Sequence, residues 1–151
     1  MGQLRYREAE ETLTRALEIR KRLVGIDHPS VANIFVSRGD IYQSQGKYAE
    51  AEKLYRQALQ IAEASLGPNN PRISVYASAL ANACLVQGKH LEAKEFYERC
   101  VKIDDQLLPP GHPIQLQHLH EYANLLHKMG RSEEAQRVEE RASVLRSGKP
   151  K

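Results

Sequence analysis

The sequence predicts an all-α fold of seven helices, paired antiparallel and stacked as a solenoid. Three observations carry that expectation. The stretch GKYAEAEKLYRQAL (Gly46 to Leu59) is echoed 42 residues later by GKHLEAKEFYERCV (Gly88 to Val101), and 42 later again by GRSEEAQRVEERAS (Gly130 to Ser143). Pro29, Pro71 and Pro113 keep the same spacing, as do Gly46, Gly88 and Gly130. Within each period apolar residues recur at three- and four-residue intervals, which places them on one face of a helix. A fixed period of tens of residues marks stacked units, none of which can bury its apolar face alone. Core and punctuation are independent signals, and here they share one period.

The elements follow in order. Met1 to about Leu23 reads as a helix through Tyr6, Ala9, Leu13, Ala16, Leu17 and Arg20. Its LRYREAEETLTRAL (Leu4 to Leu17) falls 42 residues before the second helix of the next pair. Gly25-Ile26-Asp27-His28-Pro29-Ser30 then breaks it, since glycine permits a left-handed turn after a helix and Pro29 or Ser30 can open the next. Val31 to Gln45 carries Phe35, Gly39 and Tyr42 on one face, and Gly46 ends it. Tyr48 to about Leu66 is closed by Gly67-Pro68-Asn69-Asn70-Pro71. Arg72 to Gln87 and His90 to Leu107 repeat the pair. Pro109-Pro110-Gly111-His112-Pro113 makes the third long break, and Ile114 to Met129 and Ser132 to about Leu145 complete the series. The expected organisation is a half repeat over 1–27, repeats over 28–69, 70–111 and 112–146, and a disordered tail over 147–151.

Composition narrows the function. At 151 residues, 41% hydrophobic and 27% charged, the chain reads as one soluble globular domain with room for a core. No apolar run approaches the roughly 20 residues that span a bilayer, and the N-terminus has no signal-peptide pattern. A net charge of +3 with alternating signs along helical faces describes solvated surface and no nucleic-acid footprint. Cys84 and Cys100 have no second pair and read as small core residues, so the expected setting is reducing and cytoplasmic.

Chemistry is sparse. His28 and His112 hold matching loop positions, and His90 stands where Tyr48 stands one period earlier. His118 and His120 point about 200° apart on one helix, and His120 and His127 lie about 10.5 Å apart along it, so neither makes an i, i+4 metal pair. Asp104-Asp105 and Glu133-Glu134 are adjacent on helices, diverge, and read as solvated surface. There is no phosphate loop and no nucleophile elbow. The expectation is a protein that is not an enzyme, with no catalytic residue, no metal and no cofactor.

The repeat itself has a signature. In the unit from Ala32, Phe35, Gly39, Tyr42, Gly46, Tyr48, Ala51, Tyr55 and Ala58 fall where the tetratricopeptide repeat has its aromatic, Gly and Ala positions. Ala77, Leu80, Ala81, Gly88, Ala93, Tyr97 and Cys100 follow in the next unit, then Leu119, Tyr122, Ala123, Leu126, Gly130, Ala135 and Ala142. The chain thus resembles the tetratricopeptide repeat family, which implies a right-handed solenoid. Its 42-residue period is longer than the usual 34 and is similar to that of kinesin light chains. Ala16-Leu17-Glu18-Ile19 leads to Gly25-Ile26-Asp27-His28-Pro29, much as those repeats run. Kinesin light chains pair two Asn on each first helix, where this chain has Val36-Ser37, Ser78-Ala79 and His120-Glu121, so the likeness is one of repeat type.

The resemblance implies a protein-interaction module or scaffold whose concave surface, lined by the first helix of each pair, takes a peptide or partner segment. Carried over position by position, the groove residues are Asn33, Ser37 and Asp40; then Ser78 and Asn82; then Gln117, His120, Glu121, Asn124 and Lys128. Asp40, Asn82 and Asn124 share one repeat position, and Asn both donates and accepts, which suits an extended backbone. The ends differ. The last helix has Glu139 and Ser143 where earlier ones have Tyr97 and Leu59, as a polar cap would. The first has Leu13, Ala16 and Leu17 with no helix before it, as if cut from a longer solenoid. The alternative is a self-assembling structural fragment that associates through that open N-terminal face.

Overall fold

The computed structural model describes residues 2–148, and all secondary structure among them is helical: α1 (Gly2–Val24), α2 (Pro29–Ser44), α3 (Tyr48–Leu66), α4 (Pro71–Val86), α5 (His90–Leu107), α6 (Pro113–Lys128) and α7 (Ser132–Ser147). The chain forms two compact units, one carrying α1 to α3 and the other α4 to α7. The expected tail is helical through Ser147, with Gly148 in a left-handed conformation closing α7, and 149–151 lie outside the described residues.

The recurring loops have a recurring physical job. Pro29, Pro71 and Pro113 each take the first helical position, where a missing N–H costs nothing. The residue before each is the N-cap. His28 Nδ1 accepts from the Ser30 N–H at 3.2 Å, Asn70 Oδ1 from Arg72 N–H at 3.0 Å, and His112 Nδ1 from Ile114 N–H at 3.2 Å. The matching histidines of the first and third breaks are therefore caps, doing by ring nitrogen what Asn70 does by side-chain oxygen. The short turns also repeat. Gly46, Gly88 and Gly130 have φ of 75°, 77° and 73°, a region costly for any residue with a Cβ. The following N–H reaches back to close the helix end, Lys47 to Tyr42 O, Lys89 to Cys84 O and Arg131 to Leu126 O.

In the first unit α2 packs on both α1 and α3. Gly39 of α2 lies tight against α3, since a Cβ there would lie 2.5 Å from Tyr55 Cε1. Ala51, Tyr55, Ala58 and Ala62 are buried along α3. On α1 the matching positions are less covered: Ala9, Leu13 and Ala16 are only partly buried and Arg20 is exposed. Leu17 corrects the expected bare face, because it is buried on the side of α1 that meets α2. The Tyr42 phenol of α2 is raised above its ordinary pKa, first by hydrogen bonding to the Glu10 carboxylate of α1 and then by burial. Leu4, Ile19, Leu23 and Val24 of α1, and Ile26 after it, are exposed apolar residues.

In the second unit α4 packs on α5, α5 on α6, and α6 on α7, while α4 also meets α6. Ile73, Leu80, Ala81, Cys84, Tyr97 and Leu125 are wholly buried. Cys84 and Cys100 are core thiols outside any disulfide; burial first of all raises the Cys100 thiol pKa, and its Sγ donates to Ser74 O at 3.1 Å. The Asp104-Asp105 reading needs correction. Asp104 is wholly buried, and its Oδ2 lies 2.6 Å from His118 Nδ1, tying α5 to α6. Asp105 accepts from Gln115 Nε2 at 2.9 Å and pairs with Arg141 of α7. Helix α5 carries these two carboxylates on adjacent faces, one into the core and one across to α6 and α7.

Candidate functional site

The expected groove residues sort into three groups. Asn33, Ser37 and Asp40 are exposed on α2 of the first unit. Ser78, on α4, is buried, and its hydroxyl donates to Val75 O at 3.0 Å within its own helix, so it is not a groove residue. His120 is exposed on α6 but stands one residue off the face that carries Glu121, Asn124 and Lys128. Those three, spaced i, i+3 and i+7 on α6, do come together with Asn82. With Leu85 of α4 and Tyr97 of α5 they line a cleft of about 260 Å³ in the second unit.

The wall of this cleft is organised by a buried tyrosine. Tyr97 is wholly buried, and its hydroxyl donates to Asn82 Oδ1 at 2.6 Å. One period earlier the buried Tyr55 donates to Asp40 Oδ1 at 2.7 Å and to Gln43 Oε1 at 3.2 Å. Both tyrosines follow their acceptors by 15 residues. The recurrence of Asp40 and Asn82 therefore has a structural cause: a phenol from the second helix of the pair needs an acceptor on the first. Asn82 thus has its side-chain oxygen engaged within the fold. Burial first of all raises the Tyr97 phenol pKa, with the Glu121 charge adding to it, so Tyr97 stays a neutral donor. In the last pair Glu139 takes the tyrosine's place and its Oε1 lies 2.9 Å from His127 Nε2, which leaves Asn124 exposed with no phenol to hold.

Glu121 is the electrostatic centre. Its Oε1 accepts from Gln117 Nε2 at 2.9 Å and its Oε2 from Asn82 Nδ2 at 3.5 Å. Both donors are neutral amides, and among the described residues no cation pairs with this half-buried carboxylate. Lys128, two helical turns on, is exposed. The cleft thus offers, in line, a fixed anion, an amide that can donate and accept, and a cation. Leu85 and Tyr97 were missed as cleft residues because they sit outside the carried-over positions. The i, i+15 pairing of Tyr55 with Asp40 and Tyr97 with Asn82 was the legible signal for Tyr97.

No helix of the described residues is long and apolar enough to cross a membrane. Among curated proteins, none matches the chain. Solved structures do. A putative kinesin light chain with nearly identical TPR-like repeats from Podosopora anserina is 27% identical, with a TM-score of 0.83 over 97% of this chain and 69% of that one. BtubC (BKLC) from P. vanneervenii gives a TM-score of 0.87 at 21% identity, over 95% of this chain and 57% of that one. MamA gives 0.63 at 12%, over 93% and 72%. The last two speak to fold alone, and all three agree on an all-α solenoid class. The family model described as Tetratricopeptide repeat matches residues 1–64, 30–106 and 72–143. The overlapping matches run across nearly the whole sequence, and the chain belongs to the tetratricopeptide repeat family, with repeats like those of kinesin light chains.

Proposed function

We propose that this chain is a non-enzymatic interaction module that holds an extended peptide segment of a protein partner along the α4–α6 face. Tetratricopeptide repeats as a class mediate protein–protein interaction or scaffolding, which sets the general role. The observation that carries the finer reading is the cleft bounded by Asn82, Glu121, Asn124 and Lys128. Among the described residues Asn124 and Lys128 are exposed and enter no hydrogen bond or ion pair, so their hydrogen-bonding capacity is available to a ligand. Gln117 is assigned a supporting role on the same reading, through its bond to Glu121.

The test is a peptide-display selection on the chain, followed by titration of the enriched peptides against Asn124→Ala. Losing two backbone hydrogen bonds at about 0.5–1.5 kcal/mol each corresponds to a roughly 5- to 150-fold loss of affinity. The melting temperature should not change. Peptides that bind Asn124→Ala and Lys128→Ala as tightly as the parent place the site elsewhere and refute the reading.

A second reading, self-association through α1, is favoured by the exposed Ile19, Leu23 and Ile26 beside the partly buried Ala9, Leu13 and Ala16. It requires a concentration-dependent dimer in sedimentation that Leu23→Glu abolishes, and a monomer at every concentration rules it out.

A further inference from the structure

The cleft's charges are ordered, and the order restricts what can lie in it. Glu121 and Lys128 are seven residues apart on α6, so their Cα atoms are about 10.5 Å apart along one face. Asn124 stands between them. An extended peptide in the polyproline II conformation advances about 3.1 Å per residue with three residues per turn, so two of its side chains separated by two others lie on the same side and about 9 Å apart. Resting on the groove reading above, we propose that the partner segment is an extended peptide with a Lys or Arg seated on Glu121 and, two residues intervening, an Asp or Glu seated on Lys128. Asn124 takes the backbone between them.

The anion end carries most of the argument. Glu121 is partly withdrawn from water and held by the amides of Gln117 and Asn82, and no cation among the described residues pairs with it. A carboxylate already oriented by neutral donors gains most from a cation, because charge-assisted hydrogen bonds are stronger than neutral ones and little further ordering is needed. An acidic side chain at that place would meet like charge in a confined cleft, which costs more than a missing contact. Lys128, on a flexible exposed stem, supplies the second and weaker half of the recognition. The two charges together also fix direction, since a peptide laid down in reverse would bring like charges together at both ends.

The experiment is a random dodecamer display library selected on the wild-type chain and on the double variant Glu121→Lys, Lys128→Glu. The wild-type chain should enrich peptides with a basic and an acidic residue separated by two others, in one order. The double variant should enrich the opposite order, and each wild-type peptide should bind it at least about tenfold more weakly. Glu121→Gln with Lys128→Gln removes both charges while the one amide oxygen keeps one of the two bonds at position 121, and should lose the charge-pair preference; circular dichroism confirms that both variants fold. If the same peptides are enriched on all three proteins but are weakened by Asn124→Ala, the charge pairing is wrong and the groove stands. If they are indifferent to Asn124→Ala as well, or if none is enriched, both the pairing and the groove reading fall.

Discussion

Replacing Asn82 by Ala tests whether the recurrent polar position on the first helices is a binding device, a structural one, or both. The Tyr97 side chain is wholly buried, and its hydroxyl has Asn82 Oδ1 at 2.6 Å as acceptor. Removing that acceptor leaves a buried hydroxyl without a partner, at about 1–3 kcal/mol. For a chain of this size each kcal/mol moves the melting temperature by about 2–4 °C, so Asn82→Ala should lower it by roughly 2–12 °C. Tyr97→Phe removes donor and hydroxyl together and should cost less, about 0.5–1.5 kcal/mol. The double variant should cost less than the sum of the two, because the stranded hydroxyl is gone. Thermal and urea unfolding of the four proteins give the cycle. Asn124→Ala, on an exposed position with no tyrosine behind it, should fall within about 0.5 kcal/mol of the parent. An Asn82→Ala protein as stable as the parent, or strictly additive behaviour, would refute the tether.

Three further outcomes follow from the packing. Gly39→Ala should destabilise by about 1–3 kcal/mol in urea unfolding, because its Cβ would lie 2.5 Å from Tyr55 Cε1 and the ring is buried on α3; Gly39→Leu should cost more. His112→Ala should cost about 0.5–2 kcal/mol through loss of the cap on Ile114 N–H, and His112→Asn should restore it, as Asn70 already does the same job one period earlier. Asp104→Ala should cost about 1–3 kcal/mol by leaving the buried His118 ring without its hydrogen-bond partner, read in the same unfolding assay.

The helices were legible in the sequence almost to the residue, and the reason is redundancy. Pro71 and Gly88, for instance, bracket α4 independently of the apolar face formed by Ile73, Ala77, Leu80 and Cys84. Tertiary context had little left to override. The site was legible only in part. Position alone put Asn82, Glu121, Asn124 and Lys128 on one face, and they do share a cleft. Position could not separate a residue that turns outward from one that bonds inward. Ser78 returns its hydroxyl to its own helix, and Asn82 gives its oxygen to Tyr97. Both choices depend on what lies across the helix pair, which a register argument does not contain. The same limit hid Asp104, since a neighbouring carboxylate looks solvated until a buried histidine is placed opposite it.

Those misreadings share a feature that bears on function. The period identifies what every repeat needs, and departures from it mark where one repeat has been made different. Asp104 stands where α3 has Ala62, and His118 where α4 has Tyr76; together they make a polar contact private to α5 and α6. Glu139 replaces the tyrosine of the two preceding second helices and engages His127, and that exchange is what releases Asn124 from tether duty. Glu121 stands where the earlier repeats have Ala79 and Ser37, and Lys128 where they have Val86 and Ser44. The charges of the cleft are therefore not part of the solenoid's common stabilising pattern. A repeat scaffold keeps its period for folding, because each unit must present the same face to the next. Individual recognition has to be written in the positions the period leaves free, and on α6 those are the ones that carry charge.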